Sequence, residues 1–158
     1  MFEYLLALGS SLGNRKQHLE NAIDSIASFA EIVKTSSFIH TAPVGNVAVN
    51  EFLNGALIVK SALTPEQMLL KIAAIESLLG RVKTKRNEDR IIDIDIILAR
   101  DTVTRHDCVM EQAHLTIPHP RMHARGFVLV PSAEIAPDWR HPIYNRTLIE
   151  MKLELVDQ

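Results

Sequence analysis

Residues 80–98 read Gly-Arg-Val-Lys-Thr-Lys-Arg-Asn-Glu-Asp-Arg-Ile-Ile-Asp-Ile-Asp-Ile-Ile-Leu, and this stretch decides how the rest of the chain is read. Its first half is polar and basic: Arg81, Lys83, Lys85, Arg86 and Arg90 outnumber Glu88 and Asp89. Its second half, Ile91 to Leu98, is β-branched almost throughout and has the length of a strand. Side chains alternate between the faces of a strand. Ile92, Ile94, Ile96 and Leu98 are therefore expected on one face, and Asp93 and Asp95 together on the other.

Same-face carboxylates two residues apart lie about 6.5–7 Å from each other at Cα. At an effective dielectric of about 20 they repel by roughly 2.5 kcal/mol, which bound cations would offset. An all-oxygen pair in a cleft suits Mg²⁺ better than Zn²⁺, and two Mg²⁺ could be bridged by it. The basic run just upstream suits a polyphosphate. Carboxylates for metal beside cations for phosphate point to phosphoryl-type transfer from a nucleotide. The competing structural reading makes Asp93 and Asp95 inward charges guarding a sheet edge and the basic run a solvated loop.

The 158 residues fit one domain, 1–158, long enough to bury about 70% of its unfolded surface. A net charge of −2 argues against a nucleic-acid binder, so any affinity for polyphosphate has to be local. The single cysteine, Cys108, excludes an internal disulfide and fits a reducing cytoplasm. Residues 1–13 are apolar but lack a basic start and are too short to span a bilayer. They read as a first strand ending at Gly9, followed by a tight turn through Gly13.

Asn14 with Gln17 three residues on marks a helix start, with Leu19, Ala22, Ile23, Ile26 and Ala30 on its apolar face. Glu31 to Ile39 reads as a strand, residues 41–46 as a loop, and Phe52 to Lys60 as the next strand. Phe52 offers a ring for stacking, and the Asn54 amide both donates and accepts. Thr64-Pro65-Glu66-Gln67 opens a second helix with Met68, Leu69, Ile72, Ile75 and Leu79 as its stripe and Gly80 as its stop. A short strand from Val103 to His106 is expected to return beside the Asp-Ile-Asp strand. His114, His119 and His123 do not read as a zinc site, because prolines flank His119 and no acidic ligand accompanies them.

Four motifs in this order resemble the 6-hydroxymethyl-7,8-dihydropterin pyrophosphokinase family over roughly residues 4–137. The first is Thr41, Pro43, Val44 and Gly45; the second is Phe52 with Asn54; the third runs from Arg86 to Ile97. The fourth is Leu115-Thr116-Ile117-Pro118-His119 followed by Arg125-Gly126-Phe127. Asn87 stands where an aromatic is common in that family, Glu88 and Asp89 where Gly-Pro is common, and His114 where an arginine is common.

The resemblance implies transfer of pyrophosphate from ATP to the hydroxymethyl oxygen of the pterin. It implies two Mg²⁺ on Asp93 and Asp95, with Arg81 and Arg90 also catalytic. The nucleotide would meet Glu76, Arg81, Lys83, Arg90, Ile96, His114, Thr116, His119 and Arg125. The pterin would meet Thr41, Pro43, Val44, Gly45, Phe52, Asn54 and Phe127, and Gly80 to Arg90 would act as a lid.

The strand–helix–strand–strand–helix–strand order is the ferredoxin-like pattern. The expected fold is thus an α+β ferredoxin-like sandwich with an antiparallel-rich sheet, helices on one face and a C-terminal extension. The reading is of a cytoplasmic monomer with small-molecule substrates and neither nucleic-acid nor membrane partners.

Overall fold

A computed structural model of the chain describes residues 1–42, 51–80 and 90–156. Pro43, Val44, Gly45, Arg81, Lys83 and most of the expected lid lie outside the described residues. Four strands form the main antiparallel ladder: β1 (Phe2–Ser10), β2 (Glu31–Thr35), β4 (Phe52–Ser61) and β5 (Asp93–Asp101). They lie in the order β2-β4-β1-β5, and the short β3 (Ile39–Thr41) also pairs with β4. Helices α1 (Arg15–Ile26) and α2 (Pro65–Leu78) follow β1 and β4. No described helix is long and apolar enough to cross a membrane.

Both helices begin where side chains can satisfy their first N–H groups. Asn14 Oδ1 accepts from the Gln17 backbone N–H at 3.1 Å. Thr64 and Gln67 cap each other reciprocally, and Pro65 opens the first turn of α2. That helix stops at Gly80, whose φ of +96° falls in the left-handed region that glycine tolerates. The helix α1 stops earlier than its apolar spacing suggests, at Ile26, although Ala30 still packs on the core.

One face of the sheet carries Tyr4, Leu6, Leu8, Leu57, Val59, Ile94 and Ile96, which pack against Leu19, Ala22 and Ile26 of α1 and Met68, Ile72 and Ile75 of α2. The other face is covered as well, which corrects the expectation of helices on one side only. Here Leu5, Ala56, Ile58, Ile97 and Leu98 meet α3 (Gly126–Ile135) and α4 (Leu148–Val156). The segment after Pro137 supplies Trp139, Leu148 and Met151 to this second cluster. The sequence Gly-Phe-Val-Leu-Val-Pro-Ser-Ala-Glu-Ile is nearly apolar all round and so shows no helical stripe, which is how a buried helix reads.

Three local expectations change. Leu98 does not share a face with Ile94 and Ile96. The register runs Leu5↔Leu98 but Leu6↔Ile96, so Ile97 is an extra residue in β5 and the alternation slips by one. Ile97 and Leu98 both enter the second cluster, and Ala99 returns to the first.

The strand expected from Glu31 to Ile39 is broken at 36–38. Ser36 Oγ accepts from the Ala56 N–H at 2.8 Å, taking the place of a ladder carbonyl. The third change is at Val103 to His106, which is a turn. Asp101 Oδ1 accepts from the Val103 and Thr104 N–H groups, and Arg105 sits at φ 64°. The chain rejoins β5 at His106, whose carbonyl accepts from the Asp101 N–H, and again where Cys108 N–H donates to the Ala99 carbonyl.

Candidate active site

The alternation of three adjacent strands, β4, β1 and β5, builds one wall of the site. In β1, side chains shrink along one face from Leu5 through Ala7 to Gly9. Gly9 pairs with Asn54 on one side and Asp93 on the other; Ala7 pairs with Ala56 and Asp95. The row Asn54-Gly9-Asp93 is polar at both ends and the row Ala56-Ala7-Asp95 at one, and the small residue in the middle of each leaves a hollow floor. Asp93 and Asp95 lie on the same face, as the alternation requires, and the slip at Ile97 begins only beyond them.

A cavity of about 370 Å³ opens over this floor. It collects Thr41, Phe52 and Asn54 from β3 and β4, Glu76 from α2, and Arg90, Asp93 and Asp95 from the entry to β5. His119, Arg125 and Phe127 close it from the segment leading into α3. A second cavity of about 260 Å³ shares Leu69, Ile94, Asp95 and His119 with the first. Ile96, His114 and Thr116 line this second space, with His114 exposed on its rim. The two hollows meet at Asp95 and His119.

Each polar group is held from behind. Asn54 is only 5% exposed, and its Nδ2 donates to Thr41 Oγ1 at 2.5 Å. Glu76, also buried, accepts the Ile94 N–H at 3.0 Å and so ties α2 to the residue between the two aspartates. Arg90 is gripped through its backbone. Its N–H donates to Ser11 Oγ and its carbonyl accepts from the Ser11 N–H, both at 2.8 Å. From there its guanidinium pairs with Asp93 at 3.1 Å.

His119 is anchored to the slipped residue of β5, since its N–H donates to the Ile97 carbonyl at 2.9 Å. Its Nδ1 accepts from the Arg121 N–H, which leaves Nε2 to carry the proton of the neutral ring. Burial, helped by the Arg125 guanidinium and opposed by Asp93, pushes its pKa down to about 4. The ring is thus a neutral donor near pH 7. Arg125 itself is lowered by burial and supported by Asp95, and its guanidinium lies 5.4 Å from the Phe127 ring centre.

No group of three or more His, Cys, Asp or Glu that could hold a metal gathers among the described residues. Asp93 and Asp95 offer two carboxylates into an open cavity with arginines beside it. That donor set fits Mg²⁺, which is held by one or two carboxylates and takes its remaining ligands from water and substrate phosphates.

Each described residue expected in the site lines one or other of these two cavities, and Asp95 and His119 line both. Gly9, Ala7 and the α2 residues Leu69, Ile72 and Ala73 line the main cavity too, and the sequence reading left them out. So did the grip of Ser11 on Arg90. The one local signal was the shrinking series Leu5, Ala7, Gly9; the register that sets it opposite the aspartates is a tertiary fact.

The model of the 7,8-dihydro-6-hydroxymethylpterin-pyrophosphokinase family matches residues 5–137. A Synechocystis protein named 2-amino-4-hydroxy-6-hydroxymethyldihydropteridine pyrophosphokinase is 36% identical over 155 residues, covering 97% of this chain and 75% of its own. An Aquifex aeolicus protein of the same name is 38% identical over 149 residues, with 94% and 89% covered. Among solved structures, the Plasmodium falciparum HPPK-DHPS wild type with SDX-DHP superposes with a TM-score of 0.75 at 19% identity. That match spans 99% of this chain and 44% of the Plasmodium chain, and at such identity it speaks for the fold alone.

Proposed function

The chain belongs to the 7,8-dihydro-6-hydroxymethylpterin-pyrophosphokinase family, and from that premise we propose how its residues divide the work of transfer. The reaction moves pyrophosphate from ATP to 6-hydroxymethyl-7,8-dihydropterin in folate biosynthesis. The hydroxymethyl oxygen bonds to the β-phosphorus, the bond from that phosphorus to the α-phosphate bridging oxygen breaks, and AMP leaves. No covalent enzyme intermediate is needed.

Asp93 and Asp95 would hold two Mg²⁺, which when bound neutralise phosphate charge and favour loss of the attacking hydroxyl proton. Arg90 and Arg125, with Arg81 and Lys83 from outside the described residues, would face the phosphates as fixed cations. His119 would donate from neutral Nε2. Glu76, Ile96, His114 and Thr116 would border the nucleotide across the second cavity. Thr41 and Asn54 would read the polar edge of the pterin, with Pro43, Val44 and Gly45 completing that edge and Phe52 and Phe127 flanking the ring.

The observation that carries this reading is the convergence of Asn54, Asp93 and Asp95 on one cavity across β4, β1 and β5. It sets an amide suited to a heterocycle beside carboxylates suited to metal and phosphate. The strand order supports a ferredoxin-like core, extended at the C-terminus within a single domain over 1–158. We take the enzyme to act as a cytoplasmic monomer.

The test is substrate dependence. ATP consumption should require both the hydroxymethyldihydropterin and added Mg²⁺. Consumption at the same rate with the pterin omitted would reject the assignment of the acceptor.

A further inference from the structure

Gly9 carries no side chain, and its neighbours leave no room for one. A Cβ built there would lie 2.8 Å from Asn54 Oδ1 and 3.5 Å from Phe52 Cδ1. Gly9 does not have the positive φ seen at Gly13 and Gly80, so backbone freedom does not account for a glycine at this position. It lies inside β1, where a glycine weakens the strand unless something approaches it closely. What approaches is the head of Asn54, its direct cross-strand partner.

A clash with the end of a side chain is usually relieved by rotation. Here rotation is opposed. Asn54 is buried, and its Nδ2 is committed to Thr41 Oγ1 at 2.5 Å, so moving Oδ1 off Gly9 pulls Nδ2 off Thr41. Phe52, two residues away on the same strand, shares the space over Gly9. One missing Cβ thus sets the angle of the amide and the position of the nearest ring edge, and all three residues line the main cavity.

We propose that Gly9 is a positioning residue for recognition of the acceptor: by leaving its place empty it fixes the Asn54 amide in the orientation that reads the pterin edge. This rests on the pterin reading above and adds a residue to it. Gly9 acts through Asn54 and is not itself a catalytic residue.

The experiment is a double-mutant cycle with Gly9→Ala and Asn54→Ala. It reads binding of 6-hydroxymethylpterin and of a non-hydrolysable ATP analogue, together with ¹⁵N spectra of the free proteins. Gly9→Ala should weaken pterin binding at least tenfold, change binding of the ATP analogue less than twofold, and shift the Asn54 side-chain amide signals. In the Asn54→Ala background, Gly9→Ala should change pterin affinity less than twofold. An equal loss in both backgrounds would overturn the proposal, because the new methyl would then be filling the pocket directly. Unmoved amide signals would overturn it too.

Should Gly9→Ala alone fail to fold, the double variant should fold as well as Asn54→Ala, and its failure would also count against the proposal. If the wild type bound no pterin while the Asn54 amide still moved in Gly9→Ala, the acceptor assignment would fall and the positioning role would stand.

Discussion

Glu76 on α2 accepts the backbone N–H of Ile94, the residue between the two aspartates, at 3.0 Å. A helix carboxylate thereby fixes the strand between Asp93 and Asp95. Ile94 itself is buried in the core between the sheet and α2, so its N–H has no easy alternative in water. Replacing Glu76 by Ala should cost about 1–3 kcal/mol of stability, the penalty for stranding a buried donor. Glu76→Gln keeps an acceptor oxygen and should recover most of it. Urea denaturation of the two variants is the check, and an alanine variant as stable as wild type would show that the contact is incidental.

Asp95→Asn should lower turnover by at least two orders of magnitude with the fold intact. Asp95 lies where the two cavities meet, opposite Ala7, and lines both of them. Steady-state rates in saturating Mg²⁺, paired with circular dichroism, separate the outcomes. An unchanged rate removes the metal-holding role, whereas a lost spectrum makes the residue structural.

His119 sets a pH dependence of stability. Its pKa is depressed to about 4 in the folded protein and returns to the ordinary histidine value, about 6.5, on unfolding. Between those values the unfolded chain binds a proton that the folded one does not. The contribution of this histidine is therefore fully present above about pH 6.5 and declines as pH falls toward 4. His119→Gln should flatten the fall of Tm over that window relative to wild type. A direct titration of the His119 ring by NMR should find its midpoint near 4; a midpoint near 6.5 would show that burial does not hold the ring neutral.

Trp139 holds the C-terminal segment against the sheet. The Arg100 guanidinium lies 3.8 Å above its ring, its Nε1 donates to Asp107 Oδ1 at 3.3 Å, and Arg100 is fixed in turn by buried Glu3 at 2.6 Å. Trp139→Ala should destabilise by about 3–5 kcal/mol, with Trp139→Phe milder because it keeps the stack. Thermal unfolding reads both. Equal Tm values for the alanine variant and wild type would mean that the segment adds little to the fold.

The Asp-Ile-Asp strand was legible because alternation is local: facing of Asp93 and Asp95 follows from period two alone. The caps at Asn14 and Thr64 and the stop at Gly80 were legible for the same reason. Leu98 was misplaced because the extra residue at Ile97 arises from pairing with β1, which no local pattern encodes. The second sheet face was missed because α3 is apolar all round, and the contact of Trp139 with Arg100 joins residues far apart in the sequence. Gly9 was read as the end of the first strand, where a turn begins; its place inside β1, opposite Asn54 and Asp93, emerges only from the register.

The central claim is that the pterin hydroxyl attacks the β-phosphorus of ATP in the cavity over Asp93 and Asp95. Phosphorus NMR of a reaction mixture containing enzyme, Mg²⁺, ATP and 6-hydroxymethyl-7,8-dihydropterin tests it most directly. The account predicts AMP and a pterin diphosphate with two mutually coupled phosphorus signals, formed in equal amounts. ADP with a single-phosphorus pterin ester would contradict it, because the γ-phosphorus would then be the one attacked.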